Sequence, residues 1–161
     1  MAERTPISEM DETIAYVAIT RLQGEYGDAV SRRAWDEFPA MFAFDCPLRL
    51  DLRGTVLEHV GGDDIARFIA GSIERFEFFA FTIVNTVVKI APDGLTATGR
   101  LYMRELRFGR DDRRWTSAYG LYRDQYVRVD GRWRFAARDY ASLARDRVDG
   151  EGMEVFPIPG A

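Results

Sequence analysis

"LYRDQYVRVDGRWRFAARDY", residues 121–140, decides the fold. Tyr, Val, Trp and Phe alternate with charged residues on either side of Asp130-Gly131, the dipeptide that two-residue hairpin turns favour, so the stretch predicts two paired antiparallel strands. Period-two alternation puts Tyr122, Asp124 and Tyr126 on one face. A carboxylate between two aromatic rings marks either a wet face or an acid with a task.

Upstream, the same alternation predicts two more long strands, 78–90 and, after a turn at Asp93-Gly94, 95–108, and extends the first strand of the hairpin back to 115–129, after the charged loop "GRDDRR". The first of them is apolar on both parities, Phe79, Phe81 and Ile83 against Phe78, Ala80 and Val84, which predicts cover on both faces. Before the strands, Ser8 and Asp11 resemble a capping box, and Ile14, Ala18, Leu22, Tyr26 and Val30 recur at helical spacing, so a long helix runs to about Arg33. Gly24 and Gly27 cost that helix about 1 kcal/mol each against alanine, which implies a kink or close packing there. "WDEFPAMFA" predicts a short second helix ending before Cys46-Pro47. "PLRLDLRG" and "TVLEHVGG" read as a short hairpin, and Asp63 or Asp64 is expected to cap a third helix that turns Ile65, Phe68, Ile69 and Ile73 to one side. Helices first and long antiparallel strands afterwards give an α+β fold, a curved antiparallel sheet with the helices on one side. Residues 1–146 form a single domain in this reading, and the Gly- and Pro-rich residues 147–161 an irregular tail.

The chain has 161 residues, 47% of them hydrophobic, enough for one domain with a sizeable core. A net charge of −4 argues against nucleic acid as a partner. One cysteine, Cys46, excludes an internal disulfide, and with His59 as the only histidine the usual His/Cys metal clusters are out of reach, so neither metal nor cofactor is expected. The N-terminal stretch lacks the pattern of a secretory signal and no apolar run of membrane length occurs, which together predict a cytoplasmic protein away from membranes. GxGxxG, GxxxxGK[ST] and GxSxG are absent.

The order of elements, with "YGDAVSRRAWDEFPAMFAFD", "IVNTVVKIAPDGLTATGRLYM" and "YRDQYVRVDGRWRFAARDY", resembles the SnoaL-like branch of the nuclear transport factor 2-like superfamily over roughly residues 10–145. The resemblance implies a cone-shaped sheet with three helices on its concave side and a pocket inside the cone. Scytalone dehydratase, ketosteroid isomerase and polyketide cyclase relatives work there by acid–base chemistry, and other members have no chemistry of their own. Ser31 and Phe81 stand where dehydratase relatives carry an aspartate and a histidine, so proton transfer needs other groups.

The candidates for that role are Asp124 as the main acid or base, Tyr122 as a hydrogen-bond donor beside it, and Asp28 or Glu105 assisting. Asp124, by the resemblance, faces the cavity with Tyr122, where desolvation would raise its pKa, against the alternative of a structural pair with Arg138 or Arg123. Asp28 lies one helical turn before Ser31, against the reading of an exposed charge paired with Arg32. Glu105 is a lone acid on the Leu101-Met103 stripe, next to Arg107, and an acid and a cation facing one cavity suit a developing oxyanion. His59 is placed at the rim. Arg138, Asp139 and Tyr140 resemble in part the Arg/Asp chemistry of limonene-type epoxide hydrolases, with Arg138 as a buried structural partner the alternative.

Tyr26, Trp35, Phe81, Met103, Tyr122 and Tyr126 are expected to wall the pocket, with Ser31 and Arg107, for a small apolar ring-bearing ligand with a hydroxyl or carbonyl group. Two functions follow: a dehydratase, isomerase or cyclase, or a non-catalytic binding or subunit-association module. A four-stranded apolar sheet covered on one side also predicts a homodimer through the outer face.

Overall fold

The computed structural model describes residues 7–160. Helix α1 (Glu9–Arg32) starts as the capping pattern predicts: Ser8 Oγ accepts the Asp11 N–H at 3.1 Å. It ends at Arg33, whose left-handed φ of 62° turns the chain. Gly27 is there for close packing, since an added Cβ would lie 3.0 Å from the Phe81 ring, whereas Gly24 faces open space. The predicted second helix divides into a 3-10 turn (Trp35–Glu37) and α2 (Phe38–Met41), with Pro39 in the first turn, where a missing N–H costs nothing. Helix α3 (Gly62–Ile73) is capped by Gly61 at φ 82°, not by Asp63 or Asp64. Asp64 instead sits in the first turn and accepts the Val60 N–H at 3.1 Å.

Seven strands form one sheet: β1 (Pro47–Asp51), β2 (Val56–Val60), β3 (Phe76–Ile90), β4 (Thr96–Gly109), β5 (Trp115–Val129), β6 (Arg132–Asp146) and β7 (Met153–Val155). Their order is β2-β1-β6-β5-β4-β3, with β7 beside the end of β6. The tail read as irregular from its composition thus holds one short strand. The turn between β5 and β6 has positive φ at both Asp130 (50°) and Gly131 (77°), the type I′ geometry that the dipeptide announces. All pairings are antiparallel except β1 with β6, where Leu48 faces Arg138 and Leu50 faces Tyr140. The sheet is therefore mixed, where the sequence predicts antiparallel pairing. Hairpin signals are local, and this pairing joins strands about 90 residues apart in the chain.

Register shifts at Ile83/Asn85, Tyr119/Gly120 and Gln125/Tyr126 bend the long strands into an open cone. The helices fill its concave side. Tyr26 of α1 is the hub of the core, with ring centroids of Phe38, Phe81 and Phe135 at 5.5, 5.4 and 5.7 Å. β3 is an edge strand, and Ser31 helps to satisfy it: its Oγ accepts the Phe81 N–H at 3.0 Å while donating to the Gly27 carbonyl at 2.8 Å. That pair of bonds fixes α1 across the mouth of β3.

Candidate active site

Between the inner face of the sheet, α1 and α3 lies a cavity of about 740 Å³. The buried rings of Tyr26, Phe81 and Tyr122 line its depth, with Tyr140 and Ser142 from β6 beside them. Phe68, Ile69 and Ile73 of α3 form the opposite wall, as their helical spacing predicts. Toward the mouth come Phe76, Phe79, Arg75, Arg107 and Thr116.

Beneath that cavity is a buried polar network in which Arg138 Nη1 and Gln23 Oε1 are left without a hydrogen-bond partner among the described residues. Asp124 Oδ1 accepts from Arg138 Nε at 2.8 Å, and Oδ2 accepts from Arg138 Nη2 at 3.2 Å and from the Tyr126 hydroxyl at 3.0 Å. Gln23 Nε2 donates to the Tyr126 hydroxyl at 2.7 Å. The Asp124 and Arg138 side chains are both 0% exposed, and their strands place them directly opposite each other. The Arg138 guanidinium lies 3.9, 4.1 and 4.2 Å from the ring centroids of Tyr122, Phe135 and Tyr26. Burial opposes its charge, but Asp124 more than offsets that, so the arginine stays protonated beneath the cavity floor.

Asp124 is therefore on the predicted inner face of β5 but does not line the cavity. Asp28 does not line it either: it is exposed and bound to Arg32 at 2.7 Å. Of the other candidates, Met103 and Tyr126 are buried below the cavity, Trp35 packs on Phe38, and Ser31 is the clamp on β3. His59 stacks on Phe68 at 4.1 Å and its Nδ1 lies 3.1 Å from Asp64 Oδ2, at the rim. Asp139 bridges Arg123 and Arg49 away from the cavity.

Of the candidate acids Glu105 is the one that lines the cavity, whose lining also includes Asp111, Asp112, Asp146 and Glu154. Phe81 and Ala118 are the cross-strand neighbours of Glu105. Desolvation by these walls pushes its carboxyl above the ordinary value, while Arg107 and then Arg75 pull it back. Arg107 Nη1 is 3.6 Å from Glu105 Oε2, beyond hydrogen-bond range. The Tyr26 and Tyr122 rings lie edge to face at 6.4 Å, and burial raises both phenols, so both stay protonated near neutrality. Burial raises the Tyr140 phenol likewise. Ser142, Arg75 and Thr116 escaped the sequence reading. Gly120, opposite Ser142, was the available signal that a neighbouring side chain crosses β5 there, because a Cβ would fall 2.0 Å from the Tyr140 ring.

A cone-shaped α+β sheet around an aromatic cavity defines a domain of the nuclear transport factor 2-like architecture. Within it, residues 11–139 match the SnoaL-like domain family, and the chain belongs to that family. Solved structures share the fold at low identity. A provisionally named scytalone dehydratase from Novosphingobium aromaticivorans is 19% identical, with a TM-score of 0.75 over 96% of this chain and 95% of its own. The hexachlorocyclohexane dehydrochlorinase LinA-type3 from Novosphingobium barchaimii is 15% identical, with a TM-score of 0.75 over 96% and 97%. ActVI-ORFA from Streptomyces coelicolor is 19% identical, with a TM-score of 0.65 over 79% and 96%. No curated protein matches the chain.

Proposed function

We propose that the chain is a cofactor-independent acid–base enzyme, a dehydratase, isomerase or cyclase, acting on a small apolar ring compound that enters the cone. The observation that carries this is the placement of Glu105, a desolvated carboxyl with raised pKa on the wall of an aromatic cavity. Glu105 is the base that removes a proton from bound substrate. Tyr122 donates a hydrogen bond to the oxygen on which charge develops. Asp124 and Arg138 position Tyr122 and Tyr26 from beneath. Neighbours named for dehydratase and dehydrochlorinase activity support elimination as the reaction class.

Screening hydroxylated and carbonyl-bearing ring compounds for turnover, then assaying two variants, tests the assignment. Glu105→Gln loses turnover by about 10²-fold or more with no loss of melting temperature. Asp124→Asn leaves Arg138 unpaired and loses roughly 3–5 kcal/mol of stability. Full turnover in the Glu105 variant would refute the role.

The Ser31 and Phe81 departures favour a second reading, a binding module without chemistry, in which no compound turns over and Glu105→Gln changes ligand affinity alone. In either case two copies pair through the outer face of the sheet. There Phe78, Val84 and Trp115 are 45, 60 and 58% exposed, although Arg100 and Arg104 make this face more polar than the sequence suggests.

A further inference from the structure

Along the inner face of β4, alternation sets Leu101, Met103, Glu105 and Arg107 in order from the core to the mouth. Arg107 is 17% exposed at its side chain, and its Nε is buried without a hydrogen-bond partner among the described residues. A buried N–H left without an acceptor is costly, and although Arg104 Nε, Arg134 Nε and Arg138 Nη1 are unpaired in the same way, of these four arginines only Arg107 lines the cavity, where a ligand can supply the acceptor. Glu105 does not fill that place at 3.6 Å, and its carboxyl is itself held toward the protonated form by burial.

Arg75, two residues past the end of α3, brings a second cation to the Phe76 ring beside Arg107. The Arg75 and Arg107 guanidinium groups lie 4.8 and 5.4 Å from the centroid of one ring, Phe76. Among the described residues Arg75 has no carboxylate partner within ion-pair distance. Of the other charges that line the mouth, Arg145 binds Glu154 at 3.0 Å and the Leu52 carbonyl, Asp112 accepts the Arg114 N–H, and Asp146 accepts the Ser117 N–H, while Arg110, Asp111, Arg114 and Arg147 line it as well. A neutral ligand would leave the Arg107 Nε without an acceptor and Arg75 beside it without a counter-charge.

We propose that the substrate carries a carboxylate, held by Arg107 and Arg75 at the mouth, while its ring lies on the aromatic floor of Tyr26, Phe81 and Tyr122. This rests on the reading of the cavity as a substrate site. Glu105, one step inward of Arg107 on the same strand face, then stands beside the carbons that join ring and carboxylate, whose C–H protons become easier to remove where the two arginines neutralise the carboxylate. The chain as a whole is negative, −4, so its long-range field repels anions and the preference must come from these two contacts.

Isothermal titration of 3-phenylpropionate and its neutral amide, 3-phenylpropionamide, into the intact protein tests this. Charge-assisted bonds favour the carboxylate by about tenfold or more, and the ratio shrinks as salt is raised. Arg75 is exposed, so Arg75→Gln folds normally and narrows the ratio. The double variant with Arg107→Gln binds both probes alike. Glu105→Gln removes the opposing charge and tightens carboxylate binding. Equal affinity for the two probes, or no binding of either at millimolar concentration, overturns the proposal. If turnover survives Glu105→Gln, the acid–base reading fails while the carboxylate preference stands. If turnover is lost but the probes bind equally, only the carboxylate site is wrong.

Discussion

Glu105 is held in the cavity wall at a cost that pH makes visible. Its folded pKa lies above the ordinary 4.5, so as pH rises the unfolded chain releases this proton first and the folded state binds more protons between 4.5 and the raised value. Stability contributed at this residue therefore falls as pH rises through that window. Glu105→Gln removes the slope: melting temperature followed against pH declines less in the variant, which is the more stable protein above the window. A steeper decline in the variant would contradict the desolvated placement. Asp124 carries the lesson about reading residues from sequence. Alternation put it on one face with Tyr122 and the family resemblance turned that face inward, but alternation says nothing about depth along a strand. One residue, Arg123, separates Tyr122 in the cavity from Asp124 in the buried network, and only the Arg138 partner, on another strand, reveals on which side of the floor the acid lies.

Among the elements, the long strands, their hairpin turns and α1 were legible because their signals are local: period two, Asp130-Gly131, and Ser8 with Asp11. β6 was less so. The bulge opposite Gln125/Tyr126 inserts a residue, so Phe135 and Arg138 both point inward although their parities differ. A count carried along from Trp133 and Phe135 would send Arg138, Tyr140 and Ser142 outward. Their true facing makes Gly120 of β5 indispensable, because the Tyr140 ring occupies the volume of its missing side chain and packs on Tyr122 at 5.0 Å. Gly120→Ala is expected to destabilise by about 1–3 kcal/mol through overpacking and to displace Tyr140 from the cavity wall. Chemical denaturation measures the first effect. An unchanged midpoint would mean that the ring has room to move.

For the whole molecule, composition and the order of elements led to the cone, and the family match agrees, but the cavity's polar lining depends on contacts between β3, β4, β5 and α3 that no single segment encodes. Among the described residues no helix is long and apolar enough to cross a membrane. Exposed Phe78, Val84 and Trp115 predict self-association, and light scattering at micromolar concentration should give the mass of two chains. A monomer would mean that the arginines of the outer face keep it solvated. The role of Glu105 as the base of a working enzyme is tested most directly by the pH dependence of kcat/KM on a substrate found by screening, which reports groups ionising in the free enzyme. Glu105 as base requires activity to rise with pH along a limb whose midpoint lies above 4.5. A limb at or below 4.5, or a profile flat across the range where carboxyl groups titrate, would contradict it.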